Sequence, residues 1–151
     1  MKTLIIYDSR YGNTEQIAKS IGDAISGDVT VLRIGEVNPS ELESIDLLIV
    51  GSPTHGGGPT PAIKDFLNKL TEPVIKGINV AAFDTRLSWR WVRIFGFAAE
   101  KITNALKGKG GTLVASPLGI FVKGTGKEDS VRNEELERAV KWVEGIVKNL
   151  K

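Results

Sequence analysis

The chain predicts a doubly wound α/β domain built on five parallel strands, and three features of its 151 residues carry that reading. Short apolar runs recur at residues 4–7, 29–32, 47–50, 80–83 and 113–115, each bounded by glycine, charge or a turn residue, as in strands buried on both faces. Segments with apolar residues at helical spacing lie between them, so strand and helix alternate. A final stripe of Leu136, Ala139, Val140, Val143, Ile146, Val147 and Leu150 closes the chain at i, i+3, i+4 spacing. Crossovers between parallel strands are right-handed, which wraps helices on both faces of one sheet.

The elements follow in order. After the first strand, Ile17, Ala18, Ile21, Ala24 and Ile25 form the apolar face of a helix. After the second strand, residues 37–45 leave room for a helix of only a turn or two, with Ser40 and Glu43 at capping-box spacing. Thr60 before Pro61 is an N-cap and first-turn pair, and Ile63, Phe66, Leu67 and Leu70 continue that helix. Ala98, Ala99, Ile102, Ala105 and Leu106 mark the next. Trp142, beside the stripe of the last helix, reads as packing. No repeat, low-complexity tract or linker interrupts the chain, so residues 1–151 read as one domain.

Composition excludes several classes of function. With no cysteine there is no disulfide, thiolate metal site, iron–sulfur ligation or thiol nucleophile, and a single histidine rules against a histidine metal cluster. The histidine also has no nucleophile partner at a spacing that suggests a Ser–His–Asp triad. A net charge of +2 is too small for a nucleic-acid binder unless the basic residues cluster. No apolar run approaches about 18 residues, and the first one ends at Asp8, too soon for a signal-peptide core, so a cytoplasmic location is expected.

The chemistry is expected beyond the carboxyl ends of the strands, near the point where strand order reverses. After the first strand comes Asp8-Ser9-Arg10-Tyr11-Gly12-Asn13-Thr14. Its Ser9 and Thr14 hydroxyls, Asn13 amide and backbone N–H groups converge where the helix dipole is positive, a place for a terminal phosphomonoester. After the third strand comes Gly51-Ser52-Pro53-Thr54-His55-Gly56-Gly57-Gly58-Pro59-Thr60-Pro61, and after the fourth Asp84-Thr85-Arg86-Leu87-Ser88-Trp89-Arg90-Trp91. No G-x-G-x-x-G turn or Walker lysine is present, which argues against dinucleotide or nucleoside triphosphate at the first loop.

At this point the sequence resembles the flavodoxin family over essentially its whole length. The family signature is an apolar pair, an aromatic, Ser or Thr two residues on, a small residue, Thr, then Ala and an aliphatic on the following helix; Ile5-Ile6-Tyr7, Ser9, Gly12, Thr14, Ala18 and Ile21 fill every position. The resemblance implies strand order 2-1-3-4-5 and bound FMN. It places the FMN phosphate at Ser9, Arg10, Tyr11, Gly12, Asn13 and Thr14. Tyr11-Gly12-Asn13-Thr14 replaces the common Thr-Gly-x-Thr, a variant shared with flavodoxin-like quinone reductases.

In the family the second loop faces N5 of the flavin, which implies contacts from Pro53, Thr54, His55, Gly56 and Gly57; His55 stands where Trp is frequent. Residues 56–58 can adopt positive φ and turn a peptide carbonyl toward the flavin as it is reduced. The third loop implies contacts from Asp84, Thr85 and Arg86, with Trp89 or Trp91 stacked on the ring, Trp89 being preferred. The short stretch at residues 116–121 resembles the short-chain members. No side chain of the site is assigned a catalytic role.

Arg86, Arg90 and Arg93 punctuate Trp89, Trp91, Phe95 and Phe97. Electron-shuttling flavodoxins are typically acidic here. Arginines within a Debye length of the flavin, about 8 Å at physiological salt, are expected to raise its potential. The cluster could also dock an acidic redox partner, bind an anionic substrate or meet a membrane surface. The function expected is FMN-dependent electron transfer by a monomer or weak dimer. Its rivals are an NAD(P)H-dependent reductase of quinones or related small acceptors, and a non-redox regulatory domain.

Overall fold

The computed structural model describes residues 1–87, 96–123 and 131–151. Among these residues five α-helices and six strand segments follow in the order β1 (Lys2–Tyr7), α1 (Asn13–Asp23), β2 (Asp28–Arg33), β3 (Leu47–Pro53), α2 (Pro61–Lys69), α3 (Glu72–Ile75), β4 (Asn79–Leu87), α4 (Ala98–Gly108), β5 (Thr112–Leu113), β6 (Leu118–Val122) and α5 (Asn133–Leu150). The strands form one parallel sheet in the order β2-β1-β3-β4-β5, with β6 also paired to β4. Strand order reverses between β1 and β3.

Alternation along the strands builds two cores. Leu4, Ile6, Leu48, Val50, Val80 and Ala82 point to one face, where Ile63 and Leu67 of α2 and Ile102 and Leu106 of α4 cover them. Ile5, Tyr7, Ile49, Ala81 and Phe83 point to the other, under Ile17 and Ile21 of α1 and Ala139, Val143 and Ile146 of α5. A side chain as fully buried as Ile5 or Ile49 stabilises the fold by about 1.5–3 kcal/mol relative to exposure. The rigid platform this makes fixes where the strand ends deliver their loops.

Two local expectations are corrected. Residues 37–45 hold no α-helix; the connection has two 3₁₀ turns, Ile34–Glu36 and Pro39–Leu42. The N-cap of the second turn is Asn38, without a side-chain bond, so Ser40 and Glu43 form no capping box; Pro39 fixes φ at the first turn position and starts the turn earlier. The fifth strand is also longer and interrupted. Thr112–Leu113 pairs with Asn79 and Val80, and after a break the residues expected to follow the strand, Leu118–Val122, pair with Phe83–Leu87. Pro117 lacks an N–H to donate to the sheet, and it falls in the break.

The outer edge of β6 is sealed by α5. Glu135 accepts from the Phe121 N–H (2.9 Å), Arg138 donates to the Gly119 carbonyl (3.0 Å) and Trp142 Nε1 donates to the Ser116 carbonyl (3.0 Å). These side chains take the strand groups that would otherwise template another chain. Trp142 is partly buried in the core beneath α5, and its indole nitrogen has a second task at this edge.

Candidate functional site

The loops after β1 and β3 meet the end of β4 beside the β1–β3 switch point. In the first, Ser9 Oγ accepts the Gly12 N–H at 3.0 Å and closes a tight turn. Gly12 is left-handed (φ 90°, ψ −5°), with nothing within 4 Å of the place a Cβ would take; backbone conformation, not space, calls for glycine. Helix α1 then starts at Asn13, with this glycine as its N-cap. Ser9, Asn13 and Thr14 are buried, while Arg10 and Tyr11 are exposed. Thr14 Oγ1 lies 2.9 Å from Thr85 Oγ1 and ties the first loop to the end of β4.

The second loop is a hairpin in miniature. His55 N–H donates to the Gly58 carbonyl (2.7 Å) and Gly58 N–H donates back (3.2 Å), with Gly56 and Gly57 between them at φ 58° and 82°. Two successive positive φ values are the geometry of a tight primed turn, which glycine adopts without steric penalty. The expected positive φ is therefore present at two of the three glycines. Pro53 ends β3 opposite Thr85, and the Thr54 N–H donates to the Thr85 carbonyl at 2.8 Å. Arg10 reaches His55 Nδ1 at 3.0 Å and links the two exposed loop tips.

At the end of β4, Asp84 is fully buried. It receives Arg86 Nε on Oδ1 (2.7 Å), and Arg86 Nη2 (2.7 Å) and the Ala99 N–H (2.8 Å) on Oδ2. The Arg86 guanidinium stacks on the Phe97 ring, 3.6 Å from its centroid, and packs on Gly119, where a Cβ would come within 2.3 Å of it. Burial pushes the Asp84 carboxyl above the ordinary carboxylate range, against the opposing bond and charge of Arg86. Asp84 thus caps α4 from the strand beneath it, helped by Thr54 Oγ1, which accepts the Ala98 N–H at 3.1 Å. The Arg86 charge is balanced at contact distance, so the positive field anticipated from this segment rests on Arg90 and Arg93. Those two arginines, with Trp89 and Trp91, lie outside the described residues.

The structure thus brings Ser9, Gly12, Thr14, Pro53, Thr54, His55 and Thr85 to one rim, with Asp84 and Arg86 committed to each other beside it. Four participants escaped sequence reasoning. Thr60 donates to Asp8 Oδ2 at 2.5 Å and so ties α2 to the first loop. Phe97 and Gly119 frame Arg86. Arg33, at the end of β2, donates to the Ser9 carbonyl at 2.9 Å. No local pattern announces these roles, because each contact spans distant segments of chain.

Neutral hydroxyls and amides around the start of a helix suit a phosphate monoester, so the donor set fits the phosphate end of a flavin nucleotide. A separate cavity of about 580 Å³ lies between the 3₁₀ turns and α2–α3, lined by residues such as Val37, Leu42, Phe66 and Val74. It is mainly apolar and lacks a comparable converging set of donors. Among the described residues no group of histidine and acidic side chains could hold a metal ion, and no helix is long and apolar enough to cross a membrane.

A family model described as Flavodoxin matches residues 5–142. Flavodoxin 1 of Escherichia coli (strain K12) is 31% identical over 165 residues, covering 98% of this chain and 94% of that protein. Among solved structures, oxidised flavodoxin 1 from Bacillus cereus matches with a TM-score of 0.81 at 23% identity and covers 100% of both chains. A flavodoxin from the domain Archaea matches with a TM-score of 0.82 at 22% identity over 99% of each chain. At those identities the structural likeness speaks for the fold.

Proposed function

The chain belongs to the flavodoxin family, and from that premise we propose that it binds FMN and carries electrons between protein partners. The observation that carries this reading is the start of α1: a helix with glycine at its N-cap, behind a turn closed by Ser9, at the switch point of a parallel sheet. Ser9, Gly12, Asn13 and Thr14 would hold the phosphate. Thr54, His55, Gly56, Gly57 and Thr85 would border the ring system, with Arg10 and Tyr11 at the rim and Trp89 or Trp91 as the stacking partner. When bound, FMN supplies the electron chemistry, and the protein's part is to hold it, shield it and set its electrostatic surroundings.

The chain's own groups do this in separable ways. The Thr14–Thr85 contact fixes the spacing between the phosphate loop and the end of β4. The Gly56-Gly57 turn supplies a peptide flanked by two glycines at positive φ, which carry no Cβ to hinder its rotation. Burial of Ser9, Asn13 and Thr14 keeps water from competing for the phosphate. A partner with an acidic docking face is proposed, because the chain is net positive and exposed Arg10 and Lys64 lie on or next to the loops.

Titrating the apoprotein with FMN, followed by flavin fluorescence, tests the cofactor. One-to-one quenching is expected, with riboflavin binding more weakly for want of the phosphate. Failure to take up FMN moves the chain to the regulatory reading. A redox titration of the loaded protein then separates the remaining two: two resolved one-electron potentials support a carrier, and a single two-electron step with NADPH turnover supports a reductase.

A further inference from the structure

Arg33 stands outside the phosphate loop in sequence and touches three of its neighbours in space. Besides the Ser9 carbonyl, its guanidinium reaches Glu15 Oε1 in the first turn of α1 (3.1 Å) and Asp8 Oδ1 (3.8 Å), and it lies over the Tyr7 ring, 5.5 Å from the centroid. The Ser9 N–H is held by Asp8 Oδ1 at 2.9 Å. Both polar backbone groups of Ser9 are therefore occupied while its hydroxyl takes the Gly12 N–H. A carbonyl oxygen engaged by a guanidinium is withdrawn from repelling an incoming anion.

Charge points the same way. Asp8 and Glu15 place two carboxylates beside the helix start, where a phosphate dianion would meet them unfavourably. Glu15 is also bonded by Lys19 at 2.7 Å, so Arg33 and Lys19 together bring the four-residue cluster to neutrality. Without Arg33 the cluster is net negative.

We propose that Arg33 is the positioning residue of the phosphate loop: it fixes the Ser9 peptide and cancels carboxylate charge so that the loop accepts a phosphomonoester dianion. The assignment rests on the FMN reading above, and FMN compared with riboflavin tests it, since only FMN carries the phosphate. Arg33→Met, which keeps an apolar stem near Tyr7, is expected to weaken FMN by about tenfold or more, the scale of one charge-assisted bond, and riboflavin by less than about twofold. Arg33→Lys retains most of the FMN affinity, and adding Glu15→Gln to Arg33→Met recovers part of the loss. In the apoprotein, Arg33→Met speeds hydrogen exchange at the Gly12 amide. Equal losses for the two flavins, no loss for FMN, or a loss that Glu15→Gln leaves untouched overturns the assignment while the cofactor reading stands. A wild-type protein that takes up no FMN overturns both.

Discussion

Helices α1 and α4 both begin beyond the carboxyl ends of the strands, on opposite faces of the sheet, and their first turns are completed in different ways. At α4 the Ala98 and Ala99 N–H groups are taken by Thr54 Oγ1 and the Asp84 carboxylate. At α1 the N-cap is Gly12, which has no side chain to cap the turn. Each helix start presents the equivalent of about half a positive charge. One is answered by a carboxylate of the protein itself, buried and balanced by Arg86, and is a structural joint. The other starts at a glycine with hydroxyls arranged around it, and in the FMN reading proposed above the phosphate is the anion that answers it. Both obey the same electrostatics, and on that reading what separates joint from site is whether a carboxylate of the sheet bonds the helix N–H groups directly.

If that distinction holds, Asp84→Ala should destabilise the fold far more than it weakens FMN. It strands the Arg86 guanidinium, whose side chain is only 12% exposed, and uncaps α4. Breaking a buried pair from one side costs about 3–5 kcal/mol, to be read from the denaturant midpoint. Asp84→Asn keeps an acceptor for the Ala99 N–H and should cost less. A stable Asp84→Ala protein that has lost FMN would place Asp84 in the site and erase the contrast.

Gly12→Ala probes the open helix start. The substituted residue must hold φ near 90°, a strain of roughly 1–3 kcal/mol that clash does not augment because the surrounding space is empty. The expectation is a lower melting temperature in the apoprotein together with weaker FMN binding, measured by calorimetry and fluorescence titration. Weaker binding at unchanged stability would mean that the loop relaxes and the glycine serves the ligand alone.

The contrast between the two helices was only half visible in the sequence. The open one is a contiguous motif, Ser9 to Ile21, in which strand, hydroxyl turn and helix follow one another and every position can be read by spacing. The closed one is assembled from Thr54, Asp84, Arg86, Phe97 and Gly119, brought together by pairing of β3, β4 and β6. Spacing along the chain carries no trace of such a joint. The alternation of strand and helix was legible because both faces of the central strands are buried, and strand order came with the family resemblance. The second strand of the β4 edge and the 3₁₀ turns after β2 were missed for a shared reason: proline shifted local structure by a few residues.

Helix α2, starting in the same row, offers an intermediate case. Thr60 Oγ1 accepts the Ile63 N–H at 3.5 Å and donates to Asp8. Thr60→Ala should cost about 1 kcal/mol, as for other lost caps. Because Asp8 also holds the Ser9 N–H, a small loss of FMN affinity should accompany it. Thr60→Ser, which keeps the hydroxyl, should restore both.

The smallest effect is a difference in pH dependence between the two helix starts. Burial raises the Asp84 carboxyl, so between its ordinary range and the raised value the folded state binds more protons than the unfolded state, and stability falls as pH rises. Glu15, in the first turn of α1, is held below its ordinary range chiefly by the Lys19 hydrogen bond. Its contribution is present above that range and is lost as pH falls toward the lowered value, with a small amplitude because solvent screens the exposed pair. The two carboxylates therefore tilt the stability curve in opposite directions. Asp84→Asn should remove the decline on the rising side and Glu15→Gln the loss on the acid side, both read from denaturant midpoints across mildly acidic pH. If Asp84→Asn leaves the slope unchanged, Arg86 already holds that carboxylate ionised, and the closed helix start is an ion pair throughout.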